Sequence, residues 1–434
     1  MFFYSLKNYT KKVTFEEAIT YGLAQDKGLF FPEKIPLLSK KFLQNLYKKN
    51  IYDIAFQLIH PFIGNTIPSD IIYSIVTETL RFPFTIQNIN KKISAFELYQ
   101  GPTMAFKDIG VKFMAGCLGY FMGKNNNNIT VLVATSGDTG GAVANGFFKV
   151  AGIKAVILYP AKRVSELQEK QLTRLGDNII SLEINGDFDD CQKLVKKAFL
   201  DSFLQKKRKL TSANSINIAR WLPQIFYYFI ICRSLEKKEQ KKLFFSVPSG
   251  NFGNICAGLI AERMGLPISL FIATTNINDT IPRFIDNFIY DPKKAKYTIS
   301  NAMDISDPSN FIRILALHSN NNRLRKYMKA YSFTDEQTSI IMQKIWENCR
   351  YMLDPHGSVA LLGVINFLKQ KKIEQYGIFF ETAHPIKFLD KIKESFRDKI
   401  SYPNNFNLLD KKDKNYYKLS TKYEEFREFL LDTN

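Results

Sequence analysis

An unbroken apolar and β-branched run, Ile129-Thr130-Val131-Leu132-Val133-Ala134, leads directly into a glycine-containing turn, Thr135-Ser136-Gly137-Asp138-Thr139-Gly140-Gly141. A helical pattern to Val150 follows, then a second apolar run, Ala155-Val156-Ile157-Leu158-Tyr159-Pro160. This succession strongly limits the fold. Strands that are apolar on both faces must be covered on both faces, which means βαβ units on a parallel sheet. The pattern continues with a helix over 165–175, a strand over 179–184, and helices over 191–204 and 218–235. It then starts again: a strand over 243–248, the turn Ser249-Gly250-Asn251-Phe252-Gly253-Asn254, a helix over 255–264 and a strand over 270–274. A helix over 335–351 and a last strong strand over 377–380 complete this second series.

The expected architecture is α/β, with two domains that each contain a parallel sheet and a mainly helical N-terminal region. Residues 1–92 are assigned to that region, 93–235 to a smaller α/β domain and 236–434 to a larger one. Within the first part, 1–6 reads as a short strand. Thr14-Phe15-Glu16-Glu17 is a capping box opening a helix that ends near Gly22. Helices over 51–59 and 69–80 are separated by breaks at Pro61 and Pro68. The tail beyond Pro403 is polar and reads as peripheral.

Open parallel sheets bind ligands where strand ends feed helix N-termini. The turn at 249–254 suits an anion, because its glycines let the backbone approach closely and the following helix supplies free N–H groups. Neither G-x-G-x-x-G nor G-x-x-x-x-G-K-[ST] occurs, which disfavours dinucleotide and nucleoside-triphosphate sites. The turn at 136–140 is a second such site, or simply a helix cap at Asp138 or Thr139. A third stretch, Gly101-Pro102-Thr103-Met104-Ala105-Phe106-Lys107-Asp108, sets a lysine in an apolar turn before a helical pattern. Dehydration lowers a lysine pKa, and a neutral amine attacks aldehydes. Taken alone, Lys107 is as readily a surface lysine whose stem runs past Phe106 to water. The three stretches together suit pyridoxal 5′-phosphate (PLP), an aldehyde with a phosphate handle.

The net charge of +19, from 60 basic and 41 acidic residues, raises the alternative of a nucleic-acid partner. The lysines are dispersed, however, and Lys, Asn, Ile, Phe and Tyr are all abundant, so compositional bias accounts for the excess and no nucleic-acid partner is expected. Five scattered cysteines without a CxxC pair fit free thiols in a reducing cytoplasm. The four histidines lack metal-ligand spacing, so no metal is expected. No run of 18 apolar residues occurs, so no membrane span is expected.

The chain resembles the threonine synthases of the longer, bacterial and fungal subgroup, within the tryptophan-synthase-β-like (fold-type II) PLP enzymes. The resemblance covers nearly the whole chain. It is carried by Gly28-Leu29-Phe30-Phe31-Pro32, by the three stretches above, and by Ser212-Ala213-Asn214-Ser215-Ile216-Asn217, Asn301-Ala302-Met303-Asp304 and Thr382-Ala383-His384-Pro385. It implies a PLP cleft between the two sheet-bearing domains, with Lys107 as the catalytic, cofactor-bearing lysine. It further implies that Gly250, Asn251, Phe252, Gly253 and Asn254 hold the cofactor phosphate, Thr382 the pyridine nitrogen, and Asp138 the ring oxygen, where relatives often have asparagine. Thr103, Ser136, Thr139, Ser215, Asn217 and Arg220 are the substrate-binding residues it implies, for O-phospho-L-homoserine. A cytoplasmic monomer or weak homodimer is expected. A threonine or serine dehydratase of the same fold is the nearest alternative. Glu381 stands where a small residue is expected before Thr382, and strand alternation should turn it away from the cofactor ring. His384 is expected to close the turn before Pro385, and His356 to lie at the cleft edge.

Overall fold

Three sheets organise the chain, seen in a computed structural model that describes residues 1–125, 127–235, 243–318, 321–370, 375–392, 394–400 and 413–432. Near the N-terminus β1 (Phe3–Ser5) pairs antiparallel with β2 (Asn8–Val13) and with β3 (Phe30–Pro32). The helix Phe15–Tyr21 between them opens on the expected capping box of Thr14 and Glu17 and ends at Gly22. The helix Ile51–Ile63 runs past Pro61 instead of stopping before it. Pro61 gives up one N–H bond in the last turn, and the burial of Phe62 and Ile63 beyond it offsets that loss.

The larger sheet has six strands: β4 (Thr85–Asn90), β5 (Ile93–Glu97), β10 (Leu243–Pro248), β11 (Leu270–Thr275), β12 (Met328–Ser332) and β13 (Tyr376–Glu381). Their order is β12-β11-β10-β13-β5-β4, parallel except for β4. The smaller sheet has β6 (Ile129–Ala134), β7 (Ile153–Pro160), β8 (Ile179–Ile184), β9 (Leu210–Ser212) and β14 (Tyr417–Leu419), in the order β14-β8-β7-β6-β9 and parallel throughout. β6 and β10 are buried at every residue, as the apolar runs require. The helix Lys107–Asn125 packs against both the helix Ser69–Thr79 and the helix Asp138–Phe147, linking the N-terminal region to the smaller sheet.

The sheets do not follow the division at 92/93 and 235/236. β4 and β5 belong to the larger sheet. β5 is buried at all five positions, so it needs a partner on each edge, and it has β13 on one and β4 on the other. The tail is likewise not peripheral where it is described. β14 extends the smaller sheet, and the helix Tyr423–Asp432 buries Phe426 and Leu430 in a cluster with Cys191, Leu194 and Leu204. Residues 404–412 lie outside the described residues. The expected helix over 191–204 is two helices, Phe188–Ala198 and Ser202–Lys207, because Asp201 caps a new start. Among the described residues no helix is long and apolar enough to cross a membrane.

Phe426→Ala tests the role of the tail. Emptying that buried site should lower stability by about 3–5 kcal/mol in urea unfolding. An unchanged unfolding curve would mean that the tail only rests on the sheet.

Candidate active site

Strand ends from both larger sheets converge on one cleft, of about 1380 Å³. In the six-stranded sheet the neighbours β5, β13 and β10 point the same way. Their carboxyl ends lead to Lys107, to Thr382 and to the loop 249–254. In the five-stranded sheet β6 leads into the turn 135–141 and β9 into Asn214 and Ser215. Lys107, Asp138, Thr382 and residues 250–254 all line the cleft, as do Ser136, Thr139, Ser215 and Arg220.

Lys107 is the first residue of its helix, and the turn before it is tied down from several sides. The Asp108 carboxylate accepts the Thr103 N–H at 2.9 Å and the Thr103 hydroxyl at 2.5 Å. A Cβ on Gly101 would stand 2.4 Å from Asp108 Oδ2, so only glycine fits there. The Phe106 N–H donates to the Thr382 carbonyl at 2.8 Å, the Phe106 carbonyl accepts the Tyr227 hydroxyl, and Ala105 bridges to Ala383. The lysine backbone is thereby locked beside the strand end that carries Thr382.

The Lys107 side chain is 16% exposed, with Nζ 3.6 Å from Asp138 Oδ2. Burial lowers its pKa. Asp138 opposes that shift, while Lys387 and Arg220 add to it. Asp138 behaves in the opposite way. Burial alone would raise its carboxyl, but Lys387 at 2.8 Å and then Lys107 hold it well below the usual carboxylate range. Arg220 is buried, and its Nη1 donates to the Ala213 carbonyl. Burial pushes it down to about 10.

The glycine loop turns its side chains inward. Asn254 donates to the Pro248 carbonyl at 2.8 Å and accepts from the Ser249 hydroxyl and the Ile255 N–H. Asn251 Oδ1 accepts the Ser309 hydroxyl at 2.9 Å and the Asn251 carbonyl accepts the Asn310 N–H. Phe252 takes a left-handed φ of 61°, a conformation uncommon outside glycine that functional loops retain. What remains for the cleft is backbone, at the start of the helix Gly253–Arg263, where the first N–H groups have no internal acceptor. A Cβ on Gly250 would lie 2.7 Å from the Ala302 carbonyl oxygen, so the loop has no room there for a side chain.

Glu381 and Thr382 alternate as strand geometry requires. Thr382 lines the cleft, while the Glu381 carboxyl lies against Gly357 and Asp354. Burial, with Asp354 beside it, pushes that carboxyl well above its ordinary value. His384 Nδ1 accepts the Ile386 N–H at 3.2 Å and so caps the turn after Thr382. His356 lines the cleft, with Nδ1 at 2.6 Å from Asp354 Oδ1 and Nε2 accepting the Ala302 N–H.

Two residues expected at the substrate are not in the cleft lining. Asn217 is buried, caps the helix Ile218–Trp221 through the Ala219 N–H, and donates to the Ile19 carbonyl at 2.8 Å. Its hydrogen-bonding capacity is spent on the scaffold. Thr103 is buried too, bonded through both N–H and hydroxyl to Asp108. Sequence reasoning did not find Lys387, Gln168 or Thr135. Thr135 Oγ1 accepts the Gly137 and Gly140 N–H groups and so shapes the turn. Lys387 sits two residues beyond Pro385 in the motif after Thr382, but nothing in the sequence separates a buried lysine from exposed ones.

Comparison with known proteins agrees with this geometry. Residues 76–379 match the family described as pyridoxal-phosphate dependent enzyme, and residues 2–80 match the threonine synthase N terminus. The threonine synthase of Buchnera aphidicola subsp. Baizongia pistaciae is 43% identical over 434 residues, covering 99% of each chain. That of Escherichia coli K12 is 40% identical over 400 residues, covering 92% of each. The E. coli crystal structure superposes with a TM-score of 0.92 over 100% of both chains at 38% identity. The crystal structure of PLP-bound threonine synthase from Brucella melitensis gives a TM-score of 0.92 over 99% of both chains at 30% identity.

The chain therefore belongs to the pyridoxal-phosphate-dependent enzymes. Within them it belongs with the threonine synthases, and its cofactor is PLP. The residues present fit that group: an amine of lowered pKa, a backbone cradle closed to side chains, and a threonine hydroxyl with no charged acid facing the cleft beside it.

Titrating PLP into the protein should produce a visible absorption band that Lys107→Ala abolishes. Asn217→Ala should keep the band and lose about 1–2 kcal/mol of stability through the missing cap. A raised KM for O-phospho-L-homoserine with unchanged stability would return Asn217 to the site.

Proposed function

We propose that the chain converts O-phospho-L-homoserine and water to L-threonine and phosphate, the last step of threonine biosynthesis. The observation that carries this reading is the Lys107 amine, dehydrated and paired to Asp138, facing a backbone anion cradle across a cleft that also holds the buried guanidinium of Arg220. When bound, PLP supplies an electron sink for negative charge at the substrate α-carbon.

The loop 250–254 would hold the cofactor phosphate through backbone N–H groups, and the Thr382 hydroxyl would serve the ring nitrogen. Lys107 is the base for the α-proton, because burial favours its neutral form. Ser136 and Thr139 hold the substrate carboxylate at the start of the helix Asp138–Phe147, where the helix dipole favours an anion. Ser215 and Arg220 take the substrate phosphate: a β-proton is lost as phosphate departs from the γ-carbon, the γ-carbon then gains a proton, water adds at the β-carbon and the α-proton is returned. The low exposure of Lys107, Asp138 and Arg220 keeps bulk water from the reacting carbons until that point. The dispersed positive charge suits a phosphorylated small molecule, and the same reading has a cytoplasmic monomer or weak homodimer with no nucleic-acid or membrane partner.

Incubation with O-phospho-L-homoserine should yield threonine and phosphate in equal amounts. Accumulation of 2-oxobutanoate as the main product would instead favour the dehydratase reading. Arg220→Ala should lower kcat/KM by about 10- to 100-fold, the worth of one charged hydrogen bond, and an unchanged value would remove Arg220 from the phosphate site.

A further inference from the structure

Three charges stand in a row from the cleft into the interior, Lys107, Asp138 and Lys387, and the mechanism above uses only the first two. Lys387 is fully buried, with its ammonium 2.8 Å from Asp138 Oδ1 and 2.8 Å from the Thr103 carbonyl oxygen. It comes from the segment Pro385–Lys391 after β13, so it reaches the first turn of the helix Asp138–Phe147 from the other sheet. Burying an ammonium costs several kcal/mol unless a partner compensates, and here that partner is Asp138. The two carboxylate oxygens are divided between tasks. Oδ1 takes Lys387 and the Gln168 amide at 3.0 Å, while Oδ2 faces Lys107.

We infer that Lys387 is a positioning residue for Lys107: by holding Oδ1 of Asp138 it fixes the carboxylate with Oδ2 turned to the Lys107 amine, and it balances the charge that the carboxylate brings. The inference rests on the role given to Lys107 above and extends it to a residue that touches no reacting atom. A neutral asparagine at position 138 would need no such cation. An aspartate does, because an unbalanced carboxylate would hold the Lys107 proton. Lys387 and Asp138 therefore form a unit whose net charge, seen from Lys107, is close to zero.

The surrounding groups do not mask this coupling. Asp108, on the Lys107 turn, is bonded to Thr103 and raised by burial. Lys112, one turn further along the same helix, bears on Asp108. Arg220 comes from the helix Ile218–Trp221 and is held at about 10. Tyr227, from the helix Ile225–Ser234, is pushed well above its ordinary value by burial and stays neutral. His384, on the same segment as Lys387, is held at about 4 by burial and is uncharged at neutral pH. Gln168, on the helix Glu166–Thr173, carries no charge.

The test is a double-mutant cycle read without substrate. The rate at which the PLP-free protein captures PLP covalently, followed by absorbance from about pH 6 to about pH 10, reports the pH at which the Lys107 amine becomes free. Lys387→Met should move that midpoint up by about one pH unit or more, because Asp138 is left with Lys107 as its only cation. Asp138→Asn should move it down. The two shifts are opposite in sign, so the double variant should return to within about half a unit of the original protein. A Lys387→Met variant that melts earlier with an unmoved midpoint, or a double variant whose midpoint stays about one unit or more from the original, would overturn the inference and leave Lys387 a structural lysine. Should Lys387→Met fail to fold, the double variant, which buries no unbalanced charge, should fold and give the restored midpoint. Its failure to fold would also overturn the inference. A protein that shows this coupling but turns O-phospho-L-homoserine into 2-oxobutanoate would overturn the proposed reaction and leave the role of Lys387 standing.

Discussion

The parallel pairing of β5 with β13 is the contact on which the site depends. The register sets Glu381 opposite Glu97, so the two strands end side by side. Beyond them an isolated antiparallel bridge between Ala105 and Ala383, with the Phe106 to Thr382 hydrogen bond, holds the lysine turn to the same segment. Lys107 and Thr382 are thus brought to the same end of the sheet, although they are far apart in sequence. A one-residue slip would reverse every side chain of β13, turning Glu381 to the cleft and Thr382 to the core. Burial on both faces of β5 and β13 makes such a slip costly.

The second organising constraint is electrostatic. The interior around the cleft carries cations at Lys107, Lys387 and Arg220 and an anion at Asp138, all largely removed from water. None of them is isolated. Lys387 and Lys107 share the two oxygens of Asp138, and Arg220 is bonded to the Ala213 carbonyl. Glu381, beside Thr382, faces away from the cleft, and burial with its neighbour Asp354 raises its carboxyl well above its ordinary value. A carboxylate beside the lysine, instead of an amide, is tolerable because a second lysine arrives from the opposite sheet.

Much of this was legible from residue order. Apolar runs such as 129–134 and 243–248 could only be buried parallel strands, and the turns after them had to be ligand-facing strand ends. The capping box at Thr14 and the outward turn of Glu381 follow from local geometry alone. Long-range pairing was less legible. Nothing within 93–97 says whether that strand joins 129–134 or 376–381, because its burial on both faces suits either sheet. The contribution of 417–432 was hidden by a polar stretch before it. Asn217 misled because a cap and a ligand-binding amide look the same in sequence, and Lys387 was missed because only tertiary structure buries it.

The placement of β14 bears on how the molecule is assembled. A nascent chain leaves the ribosome with β6, β7, β8 and β9 already made, but the edge of β8 stays uncovered until residues 417–419 emerge. Until then the β8 edge is an unpaired row of N–H and C=O groups, open to pairing with another chain. The helix Tyr423–Asp432, with Phe426 and Leu430, seals that side last. Synthesis that stalls before this point leaves a protein with most of its catalytic residues in place and an adhesive edge, one for chaperones to shield and proteases to clear.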